Sequence, residues 1–135
     1  MDEIIKIYVT TMPVILGGVL NMFFCKSSFY KKHNKPIDCH KNWIDNKRIF
    51  GDNKTYIGFA SMVFICVIIS VVYGAFLSLV GVDKFSAFYE NRNNTPLYNA
   101  LTGFLLGFAY MLFELPNSFI KRRIDIPDGK TVKHF

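Results

Sequence analysis

The sequence predicts an all-α integral membrane protein with three transmembrane helices and a long loop between the first two. Residues 56–80 contain no charged side chain. At about 1.5 Å per residue, a helix of this length crosses the roughly 30 Å hydrocarbon core of a bilayer. Residues 4–24 and 97–120 are largely apolar and are also long enough to cross it. We therefore expect a single membrane domain over residues 1–135.

The first apolar segment, residues 4–24, has a secretory signal peptide as its alternative interpretation. A signal peptide combines a basic start, a short apolar region and a small-residue cleavage site. The segment here is long, contains Pro13, and lacks both the basic start and the cleavage site. A transmembrane helix is therefore the favoured interpretation.

Lysine and arginine are distributed unevenly, and their distribution predicts the orientation. The loop at 25–55 holds eight, the loop at 81–96 holds two, and the tail after Ile120 holds five. Because basic loops stay in the cytoplasm, we expect a multi-pass protein of the cell membrane with its N-terminus outside. The loop 25–55 and the C-terminus are then cytoplasmic. The net charge of +6 follows from this topology and from attraction to anionic lipids of the lipid bilayer, and it does not predict nucleic-acid binding.

Small side chains recur every four residues in the second and third predicted helices. Ser70, Gly74 and Ser78 form one set, and Gly103 and Gly107 form the other. Small residues on one face let helices approach closely in lipid. A homo-oligomer through these faces is one interpretation, and a chance pattern in an apolar stretch is the other.

The end of the third predicted helix is the first candidate site. Glu114 follows an uninterrupted apolar run, so it lies at the membrane boundary or inside it, where an ionisable group is costly and usually functional. If the helix continues, one of its faces carries a carboxylate, a hydroxyl and two cations. These are Glu114, Ser118, Lys121 and Arg122. The alternative is an ordinary helix end whose cations only set the topology.

The second candidate site is the end of the loop, where residues 42–55 mix carboxylates with cations. A P-loop is excluded, because the G-x-x-x-x-G-K-[ST] spacing and its preceding strand are missing. His33, Cys39 and His40 could ligate a metal, but the sequence offers no residue that completes the set. The three cysteines of the chain are unpatterned and are expected to be free thiols.

These two stretches resemble the CDP-archaeol synthase family, a branch of the CTP-dependent phosphatidate cytidylyltransferases. In the loop, the resemblance rests on Pro36-Ile37-Asp38 and on Asn42-x-x-Asp45-x-Lys47-Arg48-Ile49-Phe50-Gly51-Asp52-x-Lys54-Thr55-x-x-Gly58. At the end of the third helix, Ser118-x-x-Lys121-Arg122 is similar to the S-x-x-K-R opening of the signature shared by the wider superfamily.

The resemblance implies transfer of CMP from CTP to a membrane lipid phosphate, with release of pyrophosphate, in phospholipid biosynthesis. It implies Mg²⁺ as the cofactor, with Asp52 and Glu114 as its ligands. The residues expected to be catalytic are Asp52, Lys54, Glu114 and Lys121. The residues expected to bind substrate are Asp45, Lys47, Arg48, Thr55, Asn117, Ser118 and Arg122. Since one reactant is in the membrane and the other in the cytosol, the site is expected at the cytoplasmic interface.

Two departures from the family pattern shape the remaining expectations. The family usually has a Gly-Asp pair where this sequence has Phe113-Glu114. The superfamily signature also continues to an aspartate pair, D-x-x-D, and a further membrane helix, and the chain is expected to end before them. We therefore expect the N-terminal part of a longer family domain, with little activity of its own. The alternative is a non-enzymatic three-helix membrane protein that binds anionic lipid or a partner subunit through its basic loop.

Overall fold

The computed structural model describes residues 2–52 and 54–126, and all regular structure within these two ranges is helical. In chain order the helices are α1 (Asp2–Cys25), α2 (Ser28–His33), α3 (Tyr56–Val80) and α4 (Pro96–Arg123). α1, α3 and α4 are long and apolar enough to cross a membrane. This confirms the predicted fold class of an all-α, multi-pass membrane protein.

The helix boundaries agree closely with the sequence prediction, with two differences. α3 has the predicted bounds, whereas α4 begins one residue earlier than predicted and continues through Pro116 to Arg123. The loop between α1 and α3 also contains α2, a short helix that hydropathy does not reveal because it is too brief to show a period. The hydroxyl of Ser27 caps α2 by accepting a hydrogen bond from the Tyr30 backbone N–H at 3.2 Å.

α3 is the central helix, and it packs most closely against α4. A Cβ added to Gly103 would lie 2.5 Å from the Cys66 carbonyl oxygen, and one added to Gly107 would lie 2.8 Å from the Cα of Val63. Because these glycines have no side chain, the two helix backbones can approach each other directly. The small-residue faces that suggested a homo-oligomer are thus used, at Ser70, Gly74, Gly103 and Gly107, inside one chain.

Cys66 is the point at which all three long helices meet. Its side chain is fully buried, and a Cβ added to Gly17 of α1 would lie 2.6 Å from its Sγ atom. Cys66 is a free thiol, as predicted, and so are Cys25 and Cys39. The outer faces of the helices remain apolar and exposed, as a lipid-facing surface requires; Leu79, for example, is 88% exposed.

The end of the bundle at which α3 leads into α4 is closed by uncharged polar groups. The buried Asn99 of α4 accepts a short hydrogen bond from the Tyr89 hydroxyl. Its amide donates to Asn94 at 2.8 Å, and the Asn94 amide donates to the Gly74 carbonyl oxygen at 2.7 Å. We call this set of four residues the asparagine network. It fixes the connection 81–95 against α3 and α4.

Candidate functional site

The loop between α1 and α3 is organised around one buried carboxylate, that of Asp38. Its side chain is fully shielded from solvent. The Arg48 guanidinium donates to its two oxygens at 2.8 and 3.2 Å. The backbone N–H groups of His40, Phe50 and Gly51 each donate to it at 3.1 Å. Asp38 therefore holds the far end of the loop segment, residues 48–51, against its beginning.

These contacts keep Asp38 ionised. Burial by itself raises the pKa of Asp38, but hydrogen bonds from Arg48 and from the Gly51 and Phe50 backbones outweigh it and lower the pKa to about 2. The same arginine contacts Asp52 with its other terminal nitrogen at 2.9 Å. Arg48 is thus held in place by two carboxylates of the loop.

A second set of ion pairs joins the loop to the C-terminal end of α4, the end that is predicted to face the cytoplasm. Asp45 contacts Arg123 at 2.7 Å, and Lys47 contacts Asp125 at 2.9 Å. The Arg123 guanidinium also donates to the Arg48 carbonyl oxygen at 2.5 Å. The two stretches singled out in the sequence are therefore in direct contact.

The most buried ion pair between these stretches joins Lys54 and Glu114. The Lys54 Nζ atom lies 2.5 Å from the Glu114 Oε2 atom, and the two side chains are 19% and 28% exposed. Lys54 comes from the loop just before α3, and Glu114 comes from α4 at the end of its apolar run. Their contact brings charges of both signs to the membrane boundary.

This ion pair lies on the wall of a cavity of about 320 Å³ between α1, α3 and α4. The polar part of the lining is formed by Asn21, Lys26, Tyr30, Lys54, Thr55 and Glu114. The apolar part includes Met22, Met62 and Met111, and Gly18 leaves open space on the α1 side. A cavity with a charged end and an apolar end is suited to an amphiphilic ligand with an anionic head.

The polar wall of the cavity is held by hydrogen bonds between the helices. Thr55 is almost completely buried and caps α3 by accepting from the Gly58 backbone N–H at 3.0 Å. Its hydroxyl lies 2.9 Å from the Tyr30 hydroxyl of α2. On the α1 side, Ser61 donates to the Asn21 side-chain oxygen at 2.5 Å. Burial raises the pKa of the Tyr30 phenol, so this group stays protonated.

The remaining predicted substrate residues occupy different environments at the end of α4. Ser118 is buried, Asn117 is exposed, and Lys121 and Arg122 are partly buried. Arg122 is close enough to Arg48 for their charges to interact. Arginine forms strong paired hydrogen bonds with phosphate groups, so Arg122 is of a suitable type for the predicted role. The site roles themselves stay predictions.

The described residues do not form a ready-made metal site. Across 2–52 and 54–126, no three His, Cys, Asp or Glu side chains are grouped closely enough to hold a metal ion. The two predicted ligands are both engaged with cations, Asp52 with Arg48 and Glu114 with Lys54. Mg²⁺ is usually bound by one or two carboxylates with water and substrate phosphates, and this arrangement does not preform such a set.

Sequence reasoning missed several residues that build the site. Asp38 belongs to the quoted loop motif, but only the folded loop reveals its five donors. Tyr30 and Asn21 lie outside both motifs. The chain was also expected to end before any D-x-x-D aspartate pair. This expectation was wrong, because Asp125 and Asp128 follow the α4 motif with the D-x-x-D spacing. Asp125 pairs with Lys47, and Asp128 lies outside the described residues.

Comparison with known proteins identifies the family of the chain. A family model described as CarS-like CDP-archaeol synthase matches residues 4–134. The CDP-archaeol synthase of Thermococcus gammatolerans is 31% identical over 122 residues, which cover 90% of this chain and 56% of the relative. The enzyme of the same name from Pyrococcus furiosus is 32% identical over 126 residues, with the same coverage of each chain.

A third relative gives the same result over a shorter match. The CDP-archaeol synthase of Saccharolobus islandicus is 31% identical over 101 residues, covering 75% of this chain and 50% of the relative. The chain thus spans about half the length of the curated relatives it matches. No solved structure matches the chain significantly. Because the family model covers nearly all of its residues, the protein belongs to the CarS-like CDP-archaeol synthase family.

Proposed function

We propose that this chain carries a site for CTP-dependent cytidylyl transfer to a membrane lipid phosphate. The observation that carries the proposal is the contact between Lys54 and Glu114 on the wall of a cavity at the membrane boundary. A water-soluble nucleotide and a lipid headgroup can meet only at such a boundary. Membership of the CDP-archaeol synthase family supports the same reaction and argues against a non-enzymatic membrane protein.

The reaction consists of one displacement at phosphorus. An oxygen of the lipid phosphate attacks the α-phosphorus of CTP, and a new phosphorus–oxygen bond forms. The bond between the α-phosphorus and the bridging oxygen to the β-phosphorus breaks, and pyrophosphate leaves with the electron pair. Both reactants are anions, so positioning and charge neutralisation supply most of the catalysis.

The cations at the end of the loop and of α4 supply that neutralisation. Lys54 is placed to exchange its Glu114 partner for a phosphate oxygen at the cavity wall. Lys121, Arg122, Arg48 and Lys47 extend the positive charge away from the cavity towards the bulk solvent. Asp45, Thr55, Asn117 and Ser118 complete the proposed substrate site. The apolar part of the cavity accommodates the portion of the lipid next to its phosphate.

A divalent cation is expected for this family, and Mg²⁺ bound by Asp52 and Glu114 stays a prediction. When bound, Mg²⁺ would neutralise phosphate oxygens and align the two reactants. Asp52 and Glu114 are paired with Arg48 and Lys54. The charge neutralisation proposed above is therefore assigned to Lys54 and the neighbouring cations, without a contribution from a metal ion. A homo-oligomer also stays a prediction, since the small-residue faces that suggested it pack within one chain.

We propose the orientation that the basic residues predict, with the N-terminus outside and both the loop 25–55 and the C-terminus in the cytoplasm. We also propose that residues 1–135 act as the N-terminal part of a longer family domain, in keeping with the half-length coverage of the relatives. Cys39 is exposed in the loop. A membrane-impermeant thiol reagent should therefore label Cys39 only after the cells are permeabilised. Labelling on intact cells would contradict the orientation.

The proposed function is tested by replacing Lys54 with alanine. The protein is reconstituted in vesicles that contain a lipid phosphate, and CTP binding and pyrophosphate release are measured. Lys54→Ala should weaken CTP binding by residues 1–135, and in any longer form that is active it should lower kcat/KM for CTP by about 10²-fold, because it removes a charge at the transferring phosphate.

Lys31→Ala and Lys32→Ala are the matched controls, since both lysines are exposed on α2 outside the site. These variants should change activity only slightly, in a way that salt screens. If they weaken CTP binding as much as Lys54→Ala does, the loop acts as a nonspecific anion-binding surface and the proposal is wrong. Absence of CTP binding by the unaltered protein would contradict it as well.

A further inference from the structure

The turn between Asn42 and Arg48 carries two apolar side chains at its tip. The Asn46 backbone N–H donates to the Trp43 carbonyl oxygen at 3.0 Å, and the Trp43 N–H donates to the Lys47 carbonyl oxygen at 2.7 Å. Ile44 stands at the tip of this turn and is 90% exposed, and Trp43 beside it is 47% exposed. We call Trp43 and Ile44 the apolar tip. An apolar pair at the tip of a polar loop is unexpected if the loop faces only water.

The apolar tip is held rigidly at the end of α4. The Trp43 ring packs edge-on against Phe119 with 5.4 Å between the ring centroids. The ion pairs of Asp45 with Arg123 and of Lys47 with Asp125 hold the turn on either side. The exposure of Ile44 is therefore not the result of a loosely attached loop. The fold presents this side chain in a fixed position.

The height of the apolar tip along α4 corresponds to the lipid headgroups. Glu114 is the first charged residue after the apolar run and marks the edge of the hydrocarbon core. Phe119 lies five residues further on, which is about 7.5 Å along the helix. The headgroup layer is about 5–8 Å thick on each side, from a total of roughly 40–45 Å and a core of roughly 30 Å. Trp43, packed on Phe119, thus lies at headgroup height.

The exposed charge of the loop as a whole is complementary to anionic lipid. The carboxylates of Asp38, Asp45 and Asp52 are all paired with arginines. By contrast, five lysines of the loop are exposed: Lys26, Lys31, Lys32, Lys35 and Lys41. The loop that carries the apolar tip therefore exposes more positive than negative charge, as do segments that bind anionic headgroups.

We propose that the apolar tip inserts into the headgroup layer of the bilayer and anchors the loop to the membrane surface. Tryptophan prefers this layer because its ring is apolar and its indole N–H is polar. The occupant of the exposed surface is thus lipid. Anchoring keeps the loop at a constant height relative to the bilayer, and with it Lys54 in the wall of the cavity. This interaction is independent of the proposed catalytic function.

The experiment uses the intrinsic fluorescence of the protein, because Trp43 is the only tryptophan of the chain. The unaltered protein is reconstituted in vesicles of phosphatidylcholine and phosphatidylglycerol. The lipid acyl chains are brominated either near the headgroup or near the chain end, and iodide serves as the aqueous quencher. We expect the shallow bromines to quench Trp43 at least twofold more strongly than the deep ones, and iodide to quench it weakly.

Ile44→Asp should reduce quenching by the shallow bromines at least twofold and should increase quenching by iodide. Asn46→Asp is the matched control, since it adds the same charge to the same turn and keeps Ile44. It should leave the depth profile almost unchanged. Strong quenching of the unaltered protein by iodide alone would show that the tip is in water. Quenching by neither agent would show that protein covers it. Either result would overturn the proposal, whatever the activity of the protein.

Discussion

The two ends of the helix bundle bury polar groups in different ways. At the end that carries the connection 81–95, the asparagine network is uncharged. Its hydrogen bonds join the side chains of Tyr89, Asn94 and Asn99 and the Gly74 carbonyl oxygen. At the loop end, the polar groups are charged, and the pair of Lys54 and Glu114 borders an open cavity. The first arrangement only joins segments of the chain, whereas the second keeps charges available to a ligand.

The difference separates polar groups that hold the fold together from those that we propose to bind a ligand. In a neutral network of this kind the polar groups make their hydrogen bonds within the fold. A charged pair beside a cavity is costly to maintain and can exchange partners with an anion. Substitutions at the closed end should therefore change stability, and substitutions beside the cavity should change ligand binding. Asp38 is an exception, because it is charged but buried within the loop. We therefore expect its replacement to change stability.

Replacement of Asp38 should give the largest effect on stability. The pKa of Asp38 is about 2, below its usual value of 3.8, so the ionised form is favoured by folding. The stabilisation is then fully present above pH 4 and is lost as the pH falls through about 2. Asp38→Asn should lower the free energy of unfolding by about 2–3 kcal/mol near neutral pH, measured by thermal unfolding in detergent at several pH values.

Asp125→Asn is the control for this prediction. Asp125 also pairs with the loop, but its side chain is 78% exposed. An exposed pair contributes about 0–1 kcal/mol, so this variant should unfold almost as the unaltered protein does. If Asp38→Asn is as mild as Asp125→Asn, the loop is not organised by its buried carboxylate.

Enlargement of Gly18 should affect ligand binding and spare stability. A Cβ added there meets no atom within 4 Å, and Gly18 lines the cavity, so we expect the side chain of Gly18→Leu to occupy part of the cavity. Leucine also favours the helix over glycine by about 0.5–1 kcal/mol. We expect the KM for the lipid phosphate to rise about 10-fold, or about 1.4 kcal/mol, with an unchanged midpoint of thermal unfolding.

Gly74→Ala at the closed end should do the reverse. A Cβ added there would lie 2.6 Å from the Asn99 Cγ atom and 2.7 Å from the Tyr89 hydroxyl oxygen. Overpacking of this kind costs about 1–3 kcal/mol, so the free energy of unfolding should fall while the KM for the lipid phosphate stays the same. Loss of binding in Gly74→Ala without loss of stability would remove the distinction between the two ends.

The sequence was sufficient to predict the three long helices and the contact between the two motifs. Charge-free runs such as residues 56–80 have few alternatives in a chain of this composition, so α3 was predicted with its observed bounds. The contact of the loop with the end of α4 followed from the resemblance, since both motifs had to serve one site. The Lys54–Glu114 ion pair shows that the two stretches are in contact, and their shared role in one site stays a prediction.

The remaining features depend on tertiary packing and could not be read from local patterns. Arg123 looked like a topogenic cation, and only the folded loop places Asp45 against it. The donors to Asp38 come largely from backbone N–H groups, which carry no sequence signal. The cavity is lined by residues far apart in the sequence, such as Gly18, Lys54 and Glu114, which come together only in the folded chain.

The crossing of the three long helices at Cys66 has a mechanical consequence. Gly17 of α1 touches the Cys66 sulfur, and Gly103 and Gly107 of α4 pack on its backbone and Cβ atom. No space remains there for α1 to slide closer, so a change in its tilt turns about this point. The cavity and the asparagine network lie on opposite sides of Cys66 along the helix bundle. A movement of the loop end of α1 about this point would be accompanied by an opposite movement of its other end, which holds Lys6 against Glu90.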